Sequence, residues 1–229
     1  MMSYVTVVIG TVFVLLSKPA LADVEGGVAA FIQGDYEGAY SELQPYAQQG
    51  DPEAQFIMGR MHANGTPVPQ SDTEAVRWYL LSAEQGYILA QDSLGSMYFN
   101  GYGIPQNYQE AATWWRKAAA QGHANAQTKL GNMYHKGTGV EEDDSEAAKW
   151  FEMAAKQGSL EAQQNLGLLY ASGQGVPQDY VSAFIWWTEA SNRGSKLATG
   201  NLRLLIPRMS EAEILEGQRR FENLHQQAH

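Results

Sequence analysis

QGHANAQTKLGNMYHKGTG, residues 121–139, carries a helical pattern with a flaw in it. Leu130, Met133 and Tyr134 are spaced to share one face of a helix. Gly131 lies in the middle of that pattern, where glycine costs about 1 kcal/mol relative to alanine. A helix that keeps such a residue has a reason outside itself. The reason is visible 36 residues to either side.

The chain repeats with a period of 36. Gly59, Gly95, Gly131 and Gly167 are one set, and Gly65, Gly101, Gly137 and Gly173 another. Gly50 recurs as Gly86, Gly122, Gly158 and Gly194, and Ala39 as Ala75, Ala111, Ala147 and Ala183. Trp78, Trp114, Trp150 and Trp186 form a further set, with Glu42 in the first unit. Internal periods of 20–50 residues signal stacked supersecondary units. Five such units run without insertion at about 35–70, 71–106, 107–142, 143–178 and 179–206.

Each unit reads as two helices. Asp35, Ser71, Asn107, Asp143 and Asp179 share one register and are all good N-caps for helix A. In the third unit Ala111, Trp114, Trp115, Ala118 and Ala119 make its apolar stripe, and Gly122 ends it. Helix B runs from about Asn125 to Lys136, and Gly137 ends that. Neither helix can bury its apolar face alone, so the units must stack. The Gly131 set then marks a close crossing of a neighbouring helix, with the Trp and Tyr positions filling the wider gaps. The recurring Gln55, Gln91, Gln127 and Gln163 suit an inter-unit hydrogen bond to backbone.

The pattern A-x-x-W-[YW]-x-x-A-A-x-Q-G-x-x-x-A-Q-x-x-L-G-x-M-Y-x-x-G-x-G resembles the Sel1-like repeat over about 170 residues. The resemblance implies an all-α chain: an α/α solenoid, a right-handed superhelix of helix-turn-helix repeats related to the tetratricopeptide arrays. It also implies an adaptor that assembles or regulates other proteins. The end units depart from the pattern, with His62 for Tyr in the first and Arg203 for the helix-B glycine in the fifth. Terminal units of a solenoid have one face in water. Residues 207–229 resemble the helix that closes many such arrays, and Ser210 to Glu213 is an S-x-x-E capping box. Residues 23–34, with Val28, Phe31 and Ile32 at helical spacing, suit a lead-in helix.

The first 22 residues differ in kind. Val5 to Leu16 is wholly apolar apart from Gly and Thr, and would cover roughly 18 Å as a helix, short of a ~30 Å hydrocarbon core. Lys18, Pro19 and the small-residue triplet Ala20-Leu21-Ala22 follow. The reading is a signal peptide cut after Ala22, leaving a periplasmic or secreted chain without a membrane span; an uncleaved anchor is the alternative. The chain has no cysteine, so stability rests on packing rather than on disulfides. Its formal charge is −10, which argues against a nucleic-acid surface.

With the helix-B glycine as zero and about 100° per residue, one side of helix B is constant between units and the other varies. Met58, Leu94, Leu130 and Leu166, with Met61, Met97, Met133 and Leu169, are core. The variable side holds Phe56, Arg60, Asp92, Ser96, Phe99, Thr128, Asn132, His135 and Gln164. In tetratricopeptide arrays the corresponding helix lines the concave groove. By that resemblance these nine residues are expected to line a groove for a protein or peptide; a plain solvated face is the competing explanation.

Chemistry finds little footing. S-x-x-K, S-D-N, K-T-G, G-x-S-x-G, H-E-x-x-H and the phosphate-binding G-x-x-x-x-G-K-[ST] are all missing. His123 and His135 lack an obvious third ligand. Glu141-Glu142-Asp143-Asp144 lacks the spacing and glycine of a calcium loop and instead supplies a helix cap. The expectation is a non-catalytic protein-interaction scaffold of the bacterial envelope, without cofactor or metal. Binding of cell-wall glycan or polysaccharide is the alternative, and β-lactam hydrolysis a remote one. The partner and the oligomeric state are not encoded in any pattern found.

Overall fold

The computed structural model describes residues 21–226. The expected leader therefore lies outside the described residues, apart from Leu21 and Ala22, which open the first helix. Among the described residues the chain is entirely helical. The first helix, α1, spans Leu21–Gln33. Five A–B pairs follow: α2 Tyr36–Gln48 with α3 Pro52–Asn64, α4 Asp72–Glu84 with α5 Ile88–Asn100, α6 Tyr108–Ala120 with α7 Ala124–Lys136, α8 Asp144–Lys156 with α9 Leu160–Ser172, and α10 Tyr180–Asn192 with α11 Lys196–Leu205. A 3₁₀ turn, Ile206–Arg208, leads into α12, Glu211–Gln226.

The caps fall where the sequence puts them. Ser71, Asn107 and Asp143 accept the backbone N–H three residues on, at 3.3, 3.1 and 2.9 Å. Asp35 does the same for Gly38, and Asp179 takes the N–H groups of both Val181 and Ser182. Burial alone would raise the Asp179 carboxyl, but the bonds from Ser182 and Val181 hold it below its usual range. The capping box of α12 closes in both directions: Ser210 N–H and hydroxyl reach Glu213 at 2.7 and 2.8 Å, and Glu213 N–H returns to Ser210 Oγ at 3.3 Å.

Each B helix packs on its own A helix and on the A helix of the next unit, which makes the solenoid. The B helices α7, α9 and α11 also touch one another in series. What lies against the helix-B glycines is more specific than a helix crossing. A Cβ on Gly131 would stand 2.6 Å from the Phe151 ring of α8. Tyr79 lies equally close over Gly59, Trp115 over Gly95, and the Trp187 indole nitrogen 2.4 Å from the position of a Gly167 Cβ. The ring in the notch is thus the residue after each repeating tryptophan. Trp115 and Trp187 fix their indoles further, donating Nε1–H to the carbonyls of Asp92 and Gln164 at 3.1 and 3.0 Å. At the amino end Leu43 of α2 fills the corresponding notch at Gly27 of α1. At the other end Phe184 of α10 fills one at Gly217 of α12.

The glutamine set differs from expectation in its partners. The backbone bond stays inside the unit: Gln55, Gln91, Gln127 and Gln163 donate to the carbonyls of Ala47, Ala83, Ala119 and Ala155 at 3.0–3.1 Å. The inter-unit bond joins side chains. Gln85, Gln121 and Gln157, at the ends of the A helices, donate to the Oε1 of Gln55, Gln91 and Gln127 at 2.8 Å. In the fifth unit Arg193 stands where the next glutamine belongs. It bonds the Gly158 carbonyl and leaves the buried Gln163 Oε1 without a hydrogen-bond partner.

Candidate interaction surface

The nine variable residues of the B helices separate into two groups once the units are stacked. Three residues before each glycine, the side chain meets the N-cap residue of the next B helix, 31 positions on. Phe56 stacks on Tyr87 with ring centroids 5.2 Å apart. Asp92 faces His123 at 3.7 Å, Thr128 bonds Ser159 at 2.9 Å, and Gln164 bonds Ser195 at 2.6 Å. Phe56 and Thr128 are buried at 7% and 3% exposure, so a partner does not touch them. This corrects the expectation that the whole varying side lines the groove. Each junction pairs its own chemistry, aromatic with aromatic, acid with imidazole, hydroxyl or amide with hydroxyl. Variation along this row is matched variation inside the stack.

The other row is open. Arg60 is exposed, its guanidinium 4.7 Å from the Phe31 ring centroid of α1. Ser96, Phe99 and Asn132 are half-buried and line one pocket of about 310 Å³, together with Asn100, Trp115, Lys129 and Lys136. Asn132 also spans to the next B helix, donating to Glu161 at 2.7 Å and accepting from Asn165 at 2.9 Å. His135 is turned away to the start of α8, where its Nδ1 lies 2.5 Å from Asp144. The sequence reading missed Trp115, Lys129 and Lys136. Trp115 is a core residue, as its place on the apolar stripe implies: it is 4% exposed and only its edge borders the pocket.

Lys129 organises the polar end of this pocket. Its ammonium reaches both carboxylate oxygens of Asp92 at 2.8 and 3.0 Å and Ser96 Oγ at 3.0 Å, with the Trp115 ring centroid 5.1 Å away. Asn125 adds a bond to Asp92 at 3.2 Å. Asp92 is therefore committed to the fold, and Lys129 brings no uncompensated charge. A second pocket of about 270 Å³ opens between α9 and α11, lined by Leu168, Trp187, Leu204 and Arg208 among others. Burial pushes the hydroxyls of Tyr79 and Tyr87 up to about 12, so both stay neutral. Among the described residues no cluster of three His, Asp or Glu is placed to hold a metal ion, and no helix is long and apolar enough to cross a membrane.

No curated protein sequence matches the chain. Among solved structures, a protective antigen of uropathogenic Escherichia coli with an SLR fold is 39% identical, with a TM-score of 0.71 over 73% of this chain. The match spans only 36% of that antigen's length. A Sel1 repeat protein from Oxalobacter formigenes is 35% identical, with a TM-score of 0.75 over 78% of this chain and 74% of its own. A Klebsiella pneumoniae structure at 20% identity and a TM-score of 0.51 shares the fold. The Sel1 repeat model matches four consecutive windows, residues 52–87, 88–123, 124–159 and 160–195, each opening at a B helix and closing after the next A helix. Those windows cover well over half of the sequence, and they carry the glycine notches and the glutamine ladder that hold the stack together: the chain belongs to the Sel1 repeat family.

Proposed function

We propose that this protein is a non-catalytic scaffold that binds another protein through the open row of its B helices. Proteins built from Sel1 repeats typically mediate protein–protein interaction. The observation that carries the reading to this face is the pair of pockets left between successive B helices. Phe99, Met133 and the edge of Trp115 line the first, and Leu168, Leu204 and the edge of Trp187 the second, each beside an exposed cation, Lys136 or Arg208. Buried aromatic anchors with a polar rim are what protein recognition uses. The apolar run and small-residue triplet before Asp23 support a site of action outside the cytoplasm, in the periplasm or beyond.

The test is site-specific photocrosslinking in cells. A photoreactive residue replacing Asn100, exposed on the pocket rim, is expected to give a discrete adduct. The same residue replacing Thr113, exposed on α6, is expected to give none. Equal labelling from both positions, or none from position 100, rejects the open row as the binding face.

A further inference from the structure

The two pockets are the same construction two repeats apart. Ser96, Trp115, Asn132 and Lys136 in the first correspond to Leu168, Trp187, Leu204 and Arg208 in the second, each separated by 72 residues. The junctions between them are built differently. In the notch the ring alternates, Tyr79, Trp115, Phe151, Trp187. At the far end of the B helices, and in the 3₁₀ turn that follows the last of them, the residue alternates in step, Asn100, Lys136, Ser172, Arg208. An indole in the lining and a rim cation therefore coincide at the second and fourth junctions and at neither of the others.

Charge separates what each pocket asks for. Lys129 is neutralised by Asp92, and its counterpart in the second pocket is Asn201. That leaves one cation per pocket. Lys136 and Arg208 are exposed, and among the described residues neither pairs with a carboxylate. Successive packed helices stand 8–10 Å apart, so two repeats along the B row place the pockets about 20 Å from each other. An extended chain covers that in about six residues at roughly 3.3 Å each.

Resting on the scaffold reading above, we infer that the partner is held as an extended segment with two apolar side chains about six residues apart, each beside an acidic residue. The apolar side chains enter the two pockets that the indoles border, and the carboxylates meet Lys136 and Arg208. Because the chain as a whole is acidic, net charge does not attract such a segment, and the two rim cations set its register.

Selection of phage-displayed random dodecapeptides on the intact protein tests this. Enriched peptides are expected to carry two apolar–acidic pairs five to seven positions apart. A labelled winner is expected to bind about tenfold more weakly to Lys136→Glu or to Arg208→Glu, and about a hundredfold more weakly to the double variant. The melting curves stay unchanged, since both side chains are exposed. Enrichment without acidic pairs, affinity indifferent to the double reversal, or no enrichment at all overturns the inference. If the position-100 crosslinker captures a partner that the double variant still binds fully, this inference falls while the scaffold reading stands; loss of the position-100 adduct removes the scaffold reading itself.

Discussion

The middle of the array and its carboxyl end use the same residues to different effect. Gly131 in α7 and Gly200 in α11 are both glycines within a B helix. The first lies under the Phe151 ring, whereas a Cβ on the second would meet nothing within 4 Å. Gln127 is bonded on both sides, to Ala119 and by Gln157; Gln163 is bonded on one, because Arg193 replaces its donor. A repeat residue is therefore worth what its neighbouring unit returns to it. In a nearest-neighbour stack the last unit lacks half of those returns.

The comparison is broken most severely by filling the central notch. Gly131→Val is expected to lower stability by about 3 kcal/mol through overpacking against Phe151, read as a fall in the urea midpoint. Removing the bonded amide comes next: Gln127→Leu deletes two hydrogen bonds, to the Ala119 carbonyl and from Gln157, at a cost of about 2 kcal/mol in the same measurement. The sharpest contrast is in sign. Gly131→Ala is expected to destabilise by about 1–2 kcal/mol despite its better helix propensity, while Gly200→Ala, with open space around it, gains up to about 1 kcal/mol. Both are read from thermal and urea unfolding; equal gains would mean that the ring does not hold its place. Smallest is the repair of the ladder: Arg193→Gln, which gives Gln163 the donor its counterparts have, is expected to add about 0.5–1 kcal/mol.

The open row offers a second contrast with the notches. Thr128 and Asn132 are four residues apart on α7 and both varied between units in the sequence. Thr128 is sealed against Ser159, while Asn132 stands at a pocket mouth. Variation alone did not separate them. A side chain that changes from unit to unit either faces a changing ligand or faces a neighbour that changes with it. Only the second half of each pair, 31 residues away, distinguishes the two. The pairs Phe56–Tyr87 and Asp92–His123 are legible in the sequence once that offset is known, but the offset is a property of the stacking.

The sequence alone determined the helices, their caps and their order, because those depend on spacing along one chain: a 36-residue period, an N-cap at its start and a glycine at each end. It also determined that rings and small residues must meet. Which ring enters which notch, that the glutamines bond each other across units, and that Trp115 closes a core while its edge borders a pocket were decided by tertiary structure. The physical reason is that these depend on the offset between rods packed side by side. That offset comes from the fit of many side chains at once, which no single residue pattern carries.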